Sequence, residues 1–255
     1  MPFTLAHPIA TLPLWHASHK RLDLPALIVG STIPDIAFYI ALHPVVNVGH
    51  SLSGIFTEGI PSALLLLFLG RYLLWRPVLA LLPNNIAHRL PVHCPYQFLP
   101  INRLLVIILS VALGALTHII WDNFTHDYGW AVKQFSFLSA EVANLPIYKC
   151  LQYGGGLVGF TLVVALLYAT LRKQTPQYTQ QQLSDRGKGL AWSFITAIFG
   201  LTIYAAIAQT SKKALSNIVV NTIVGSISGL FLGLCLYAAI FWANQVLEAQ
   251  SSSSQ

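Results

Sequence analysis

Residues 118–126 read HIIWDNFTH, which sets His118, Asp122 and His126 at successive four-residue steps. On a continuous helix over residues 104–126 each step drifts by about 40°, so the three side chains share one stripe. Two imidazoles and a carboxylate on one stripe are nitrogen and oxygen donors of borderline softness, suited to zinc. One helix supplying two ligands a turn apart is also the logic of the HExxH motif. A second carboxylate, Asp35 in STIPDIAF, falls inside an apolar run. A charge there is expensive and calls for a partner or a function. Pro34 just before it frees a backbone carbonyl and kinks or breaks the helix. His50, in NVGHSLSG, follows fifteen residues after Asp35.

These groups need elements to carry them, and the composition says which kind. Hydrophobic residues make up 55% of the 255 and charged residues only 9%, where a soluble chain carries about 25% charged. So few charges cannot cover a soluble body of this size, and the chain reads as an all-α, polytopic transmembrane helical bundle. Six apolar stretches are expected to span, at residues 24–42, about 60–75, 103–121, 153–171, 190–208 and 218–243. The net charge of +6 fits cytoplasmic loops. Without a basic run interleaved with aromatics, no nucleic-acid partner is expected. Cys94, Cys150 and Cys235 are scattered and suggest neither a disulfide framework nor a cysteine zinc site. Prolines and charged residues break up the first 23 residues, so no cleavable signal peptide is expected and the first span would serve for insertion.

Basic residues set the expected orientation. Lys20 and Arg21, then Arg71, Arg76, Arg89 and Arg103, then Arg172, Lys173, Arg186 and Lys188 all fall on one side of a six-span chain. That puts the N-terminus in the cytoplasm, with Lys212 and Lys213 against the rule. Asp35, His50, His118, Asp122 and His126 then gather on the outer side. His7, in PFTLAHP, sits before the first span; it joins them only if residues 2–19 form a re-entrant or buried segment. His16, His19, His43, His88 and His93 read as ordinary loop or interface residues, and Trp121 and Trp130 as interfacial anchors. Gly225, Gly229 and Gly233 form a small-residue face for helix packing. The organisation expected is a metal-site membrane domain over 1–155, a spanning helix over 156–173 that closes it, a polar linker at 174–189, a transmembrane helix pair at 190–245 and a disordered tail at 246–255.

MPFTLAHP, GSTIPD, GHSLSG and GALTHIIWDNFTHDYGW occur in that order, followed by LPIYKCLQYGGGLVG. In this combination residues 1–155 resemble an uncharacterised bacterial integral-membrane family, and the likeness fades beyond. The family is similar to YdjM-like membrane-bound metal-dependent hydrolases. Those resemble in turn the zinc-dependent phospholipase C and single-strand nuclease superfamily, which is all-α and binds three zinc ions. The resemblance implies a phospholipase-C-like helical core in the N-terminal part and a bacterial inner-membrane location. It implies metal ligands at His7, Asp35, His50, His118, Asp122 and His126, with Asp122 bridging. The superfamily's later His-xxx-Glu pair has no match, since no histidine follows His126 and Glu141 is the only glutamate between it and the tail. One or two divalent ions, up to the superfamily's three, are therefore expected, with zinc favoured. The terminal amine that serves as a ligand in the soluble enzymes would here require Pro2 as the first residue.

The chemistry expected is metal-dependent hydrolysis of a phosphoester such as a lipid headgroup, with Asp35 and Asp122 as the catalytic carboxylates and membrane lipid as partner or substrate. The alternative is a non-enzymatic membrane protein: a metal or proton transporter, or a scaffold.

Overall fold

The computed structural model describes residues 4–45, 48–176, 183–210 and 214–253. The expectations placed on Pro2, on the middle of the 174–189 linker, on Lys212 and Lys213 and on the last two residues of the tail lie outside them. The helices are α1 (Pro8–Ala17), α2 (Leu24–Gly30), α3 (Ile36–Ala41), α4 (Leu52–Gly54), α5 (Ile60–Phe68), α6 (Trp75–Leu81), α7 (Asn84–Ala87), α8 (Ile101–Thr125), α9 (Trp130–Gln134), α10 (Ile147–Lys173), α11 (Asp185–Ala208) and α12 (Leu215–Ser253). Among the described residues the only strands are β1 (Glu141–Val142) and β2 (Leu145–Pro146), an antiparallel pair. Its two turn residues, Ala143 and Asn144, both have positive φ, as the tightest hairpins demand.

Six stretches are long and apolar enough to cross a membrane: Leu24–Ala41, Leu52–Leu81, Ile101–Gln134, Ile147–Lys173, Asp185–Ala208 and Leu215–Ser251. Most are longer than the sequence expectation. The second is longer because π-helical turns at Ile55–Gly59 and Leu69–Leu74 carry the helix past Glu58 and Arg71, where hydropathy falls. α12 runs on to Ser253, past the point where a disordered tail was expected. Val246, Leu247, Glu248, Ala249 and Gln250 mostly favour helix, and extending an existing helix needs no new nucleus.

The chain forms two compact units. One gathers Met1–Ala37, Val45–Leu67 and Gln97–Tyr168; the other gathers Phe38–Pro44, Phe68–Tyr96 and Ala169–Gln255. In the second, α11 and α12 pack along their length. A side chain on Gly225 would meet Ile203 at 2.9 Å and one on Gly233 would meet Ile195 at 3.2 Å. The glycine face is therefore a packing face, as its spacing suggests.

The first unit is built on α2 and α8, which run parallel. The Asp23 amide donates to Ser110 Oγ at 2.9 Å at one end. At the other, the Ser31 carbonyl meets His118 Nδ1 at 2.8 Å. Between them the backbones nearly touch: a Cβ on Gly114 would collide with the Leu27 carbonyl oxygen. Such approach is available only to glycine and is how membrane helices gain packing contact. α2 starts where Asp23 caps the Ala26 amide at 2.9 Å and Pro25 occupies the first turn. It stops at Gly30, because Pro34 has no N–H to continue the ladder. The chain then turns through a 3₁₀ segment, Ile33–Asp35, with all three residues buried.

α1 packs on both α2 and α8. A 3₁₀ turn at Thr4–Ala6 leads into it, and Thr4, Ala6, His7, Pro8 and Thr11 are buried. The segment ahead of the first span is thus the buried kind that brings His7 inward.

Candidate metal centre

Each ligand-type side chain owes its position to a break or an end in the local structure. Asp35 closes the 3₁₀ turn that Pro34 imposes, and its side chain is wholly buried. His118 and Asp122 occupy the last two turns of α8, one turn apart, and are buried as well. His50 ends the short helix Val48–His50, and Ser51 then caps α4 by accepting from the Gly54 amide at 3.0 Å. His7 stands immediately before Pro8 at the start of α1.

These five converge. His50 Nε2 lies 3.2 Å from Asp35 Oδ1 and 3.6 Å from Asp122 Oδ2. His118 Nε2 lies 3.7 Å from Asp35 Oδ1 and 3.5 Å from Asp122 Oδ2. His7 Nε2 lies 3.8 Å from Asp122 Oδ1, and its ring stacks on His118 with centroids 3.8 Å apart. Asp122 therefore turns one oxygen toward His7 and the other toward His50 and His118. Ligand atoms of His7, His118 and Asp122 lie within 4.8 Å of one another, as do those of Asp35, His50 and His118.

Two observations test whether a divalent cation fits. Bonds of about 2.0–2.2 Å set the ligand atoms of a tetrahedral site roughly 3.3–3.6 Å apart, whereas direct hydrogen bonds hold such atoms at about 2.7–3.2 Å. Of the four separations around His50, His118, Asp35 and Asp122, those at 3.5 and 3.6 Å fall in the first range, the 3.7 Å one lies just above it and the 3.2 Å one is also compatible with a hydrogen bond. In addition, Asp35 Oδ1, His118 Nε2 and both Asp122 oxygens are buried and accept or donate no hydrogen bond among the described residues. Buried polar atoms normally have partners. Several such atoms side by side, within groups whose ligand atoms lie within 4.8 Å of one another, are an arrangement that could hold a cation.

A supporting layer fixes these atoms. A carbonyl can only accept, so His118 Nδ1 carries the proton that goes to Ser31, and Nε2 keeps its lone pair toward the carboxylates. The Thr4 hydroxyl donates to Asp35 Oδ2, which leaves Oδ1 for the cluster. Burial, with His118 alongside, pushes the His7 pKa down to about 3, so that ring is neutral. Burial also opposes charge on His50, but Asp122 and Asp35 outweigh it and push its pKa up to about 9.

His126 belongs to neither ligand group, although its Nδ1 lies 3.7 Å from Asp122 Oδ2. α8 ends at Thr125, and His126 is extended, with φ −129° and ψ 143°, so it leaves the helical stripe. Its Nε2 accepts from the Gln152 amide at 2.7 Å, and its Nδ1 donates to the Asp122 carbonyl at 3.2 Å. With both nitrogens engaged, it braces Asp122 from behind. Gln152 is in turn oriented by Lys149, whose Nζ donates to Oε1 at 3.1 Å. Sequence reasoning missed Thr4, Ser31 and Gln152. Gln152 did carry a signal, as a polar residue in the apolar α10, one position before the expected start of that span. Nothing set Thr4 apart, and Ser31 acts through its backbone.

Helical spans and a buried histidine–aspartate centre define a polytopic membrane protein with a metal-type site. The chain belongs to the DUF4184 family, a domain of unknown function, whose model matches residues 1–239. The family likeness thus extends well past residue 155, where it was expected to fade, and includes α11 and most of α12. No match is found among curated proteins or among solved structures.

Proposed function

We propose that the chain is a membrane-embedded, metal-dependent hydrolase that cleaves a phosphoester of an amphiphile such as a lipid. The observation that carries this reading is the convergence of His7, Asp35, His50, His118 and Asp122 from four separate segments, with unpartnered polar atoms at its centre. A divalent cation there, zinc by the nitrogen and oxygen donor set, supplies Lewis acidity and lowers the pKa of water toward about 7. Asp122, with an oxygen on each side, would help to hold such ions, which would supply positive charge beside the phosphate. Asp35, anchored through one oxygen by Thr4, takes the proton of the attacking water on the other. As the water oxygen bonds to phosphorus, the ester P–O bond breaks, and the alkoxide leaves with its electron pair and takes up the proton held by Asp35 to become the alcohol. His7, already neutral, holds its side of the site without giving up a proton first. The sequence likeness to membrane-bound metal-dependent hydrolases and to zinc phospholipase C supports the same chemistry. The basic-residue pattern supports a cytoplasmic N-terminus, and the family resemblance supports a bacterial inner membrane.

The test is metal content and activity together. Protein purified in detergent is expected to carry at least one zinc per chain and to release phosphate or phosphoalcohol from lipid vesicles. Asp122→Ala is expected to lose both. Substoichiometric metal in wild-type protein overturns the reading. Full metal without hydrolysis, together with zinc flux into proteoliposomes, identifies a transporter instead.

A further inference from the structure

Beside the metal-type cluster lies a cavity of about 220 Å³, bounded by α1, α8 and α10. Among the described residues His7 and Gln152 are the only polar side chains facing it apart from the indole of Trp121; the rest of the wall comes from residues such as Ile9, Ala10, Val158 and Leu162 and from the glycines of α10. His7 is the shared element: it lines the cavity and stands 3.8 Å from Asp122. The glycines are required for the wall to close. A Cβ on Gly155 would meet the Trp121 ring at 2.6 Å, and one on Gly159 would meet Ala6 at 3.0 Å.

Size and polarity select the occupant. Apolar cavities of roughly 150 Å³ already hold a benzene ring, whereas sites for whole drug-sized ligands run from about 300 Å³ upward. At about 220 Å³ the cavity suits one segment of an aliphatic chain and not a complete ligand. Val158 and Leu162 are about half exposed although α10 is apolar enough to span. In a bilayer that face meets lipid tails, so a chain can enter sideways while its polar end stays at His7. We infer that this cavity binds one aliphatic chain of the substrate, and that the substrate is therefore a long-chain alkyl or acyl phosphoester. The inference rests on the hydrolase reading and adds the chain to the phosphate.

Photolabelling in phosphatidylcholine nanodiscs tests it, using a long-chain alkyl phosphate with a diazirine on the chain and the matching alcohol without phosphate. The phosphate probe is expected to label peptides spanning residues 6–10 and 152–162, at least tenfold above the alcohol probe. Dodecyl phosphate, but not butyl phosphate, is expected to compete. Ala10→Phe fills the cavity from α1, and Val158→Trp fills it from the exposed face of α10. Both are expected to lower labelling about tenfold while zinc content and thermal unfolding stay at wild-type values. Should one of them fail to fold, the other carries the comparison. Equal labelling by the two probes, or labelling spread over every lipid-facing helix, overturns the chain site. Localised, phosphate-selective labelling of a protein without zinc keeps the chain site and overturns the hydrolase reading.

Discussion

His118 Nδ1 stands 2.8 Å from the carbonyl oxygen of Ser31, a residue 87 positions earlier in the chain. This one contact ties the end of α2 to the last turns of α8 and determines which imidazole nitrogen faces the carboxylates. It exists because Pro34 stops α2, and Ser31 follows its last residue. The proline that interrupts the apolar run therefore shapes the centre twice, turning Asp35 inward and leaving a carbonyl for His118.

Thr4 plays the matching part for Asp35, donating its hydroxyl to Oδ2. Outer partners of this kind typically change metal affinity about 10- to 100-fold when removed. Thr4→Val keeps the shape and loses the donor, so zinc affinity measured by chelator competition is expected to fall within that range while the fold persists. Thr4→Ser is expected to restore most of it. Equal affinity in Thr4→Val and wild type would mean that the Asp35 oxygen facing the cluster needs no anchor.

Metal uptake is expected to expel a proton, and His7 and His50, the cluster histidines outside the spans, say from where. His7, held down to about 3, is neutral at any pH above that value and releases nothing. His50, pushed up to about 9, carries a proton at pH 7 that must leave before its nitrogen can bind. Apparent affinity should therefore rise with pH through the neutral range and level off near 9. Calorimetry in buffers of different ionisation heat reads the proton count directly. His50→Ala is expected to remove one proton from it, and an unchanged count would assign the displaced proton elsewhere.

His126 separates a ligand from a brace. Its Nε2 accepts from Gln152, so His126→Ala and Gln152→Ala are expected to retain zinc, with affinity lowered about tenfold through a looser Asp122. His118→Ala removes a ligand atom and is expected to abolish binding. Zinc loss in His126→Ala equal to that in His118→Ala would return His126 to the ligand set.

The same residues mark how far the sequence could be read. Helical class, six spans and the grouping of Asp35, His50, His118 and Asp122 follow from hydropathy and from the cost of charge in an apolar run. His7 was harder, because α1 has ten residues, too few to span, and topology based on basic residues has no category for a short buried helix. His126 was placed on the stripe by four-residue spacing, which holds only while the helix lasts, and α8 stops at Thr125. Thr4 and Ser31 act through a hydroxyl and a carbonyl whose roles depend on tertiary contact, which spacing does not encode.

The approach of α2 to α8 is what holds Asp35 within reach of His118, and it depends on Gly114. A Cβ there would overlap the Leu27 carbonyl oxygen, and backbone, unlike a side chain, has no rotamer that relieves the clash. Overpacking of this kind costs about 1–3 kcal/mol or more. Gly114→Val is therefore expected to lower the unfolding temperature and, by moving the helices apart, to lose zinc, although residue 114 contacts no metal. Gly70→Ala is the control: nothing stands within 4 Å of an added Cβ, and alanine favours helix over glycine by about 1 kcal/mol. It is expected to leave metal content unchanged and stability equal or slightly higher. If Gly114→Val binds zinc as wild type does, the two helices do not need to touch for the centre to form, and the ligands must be held by α1 and the segment around His50 instead.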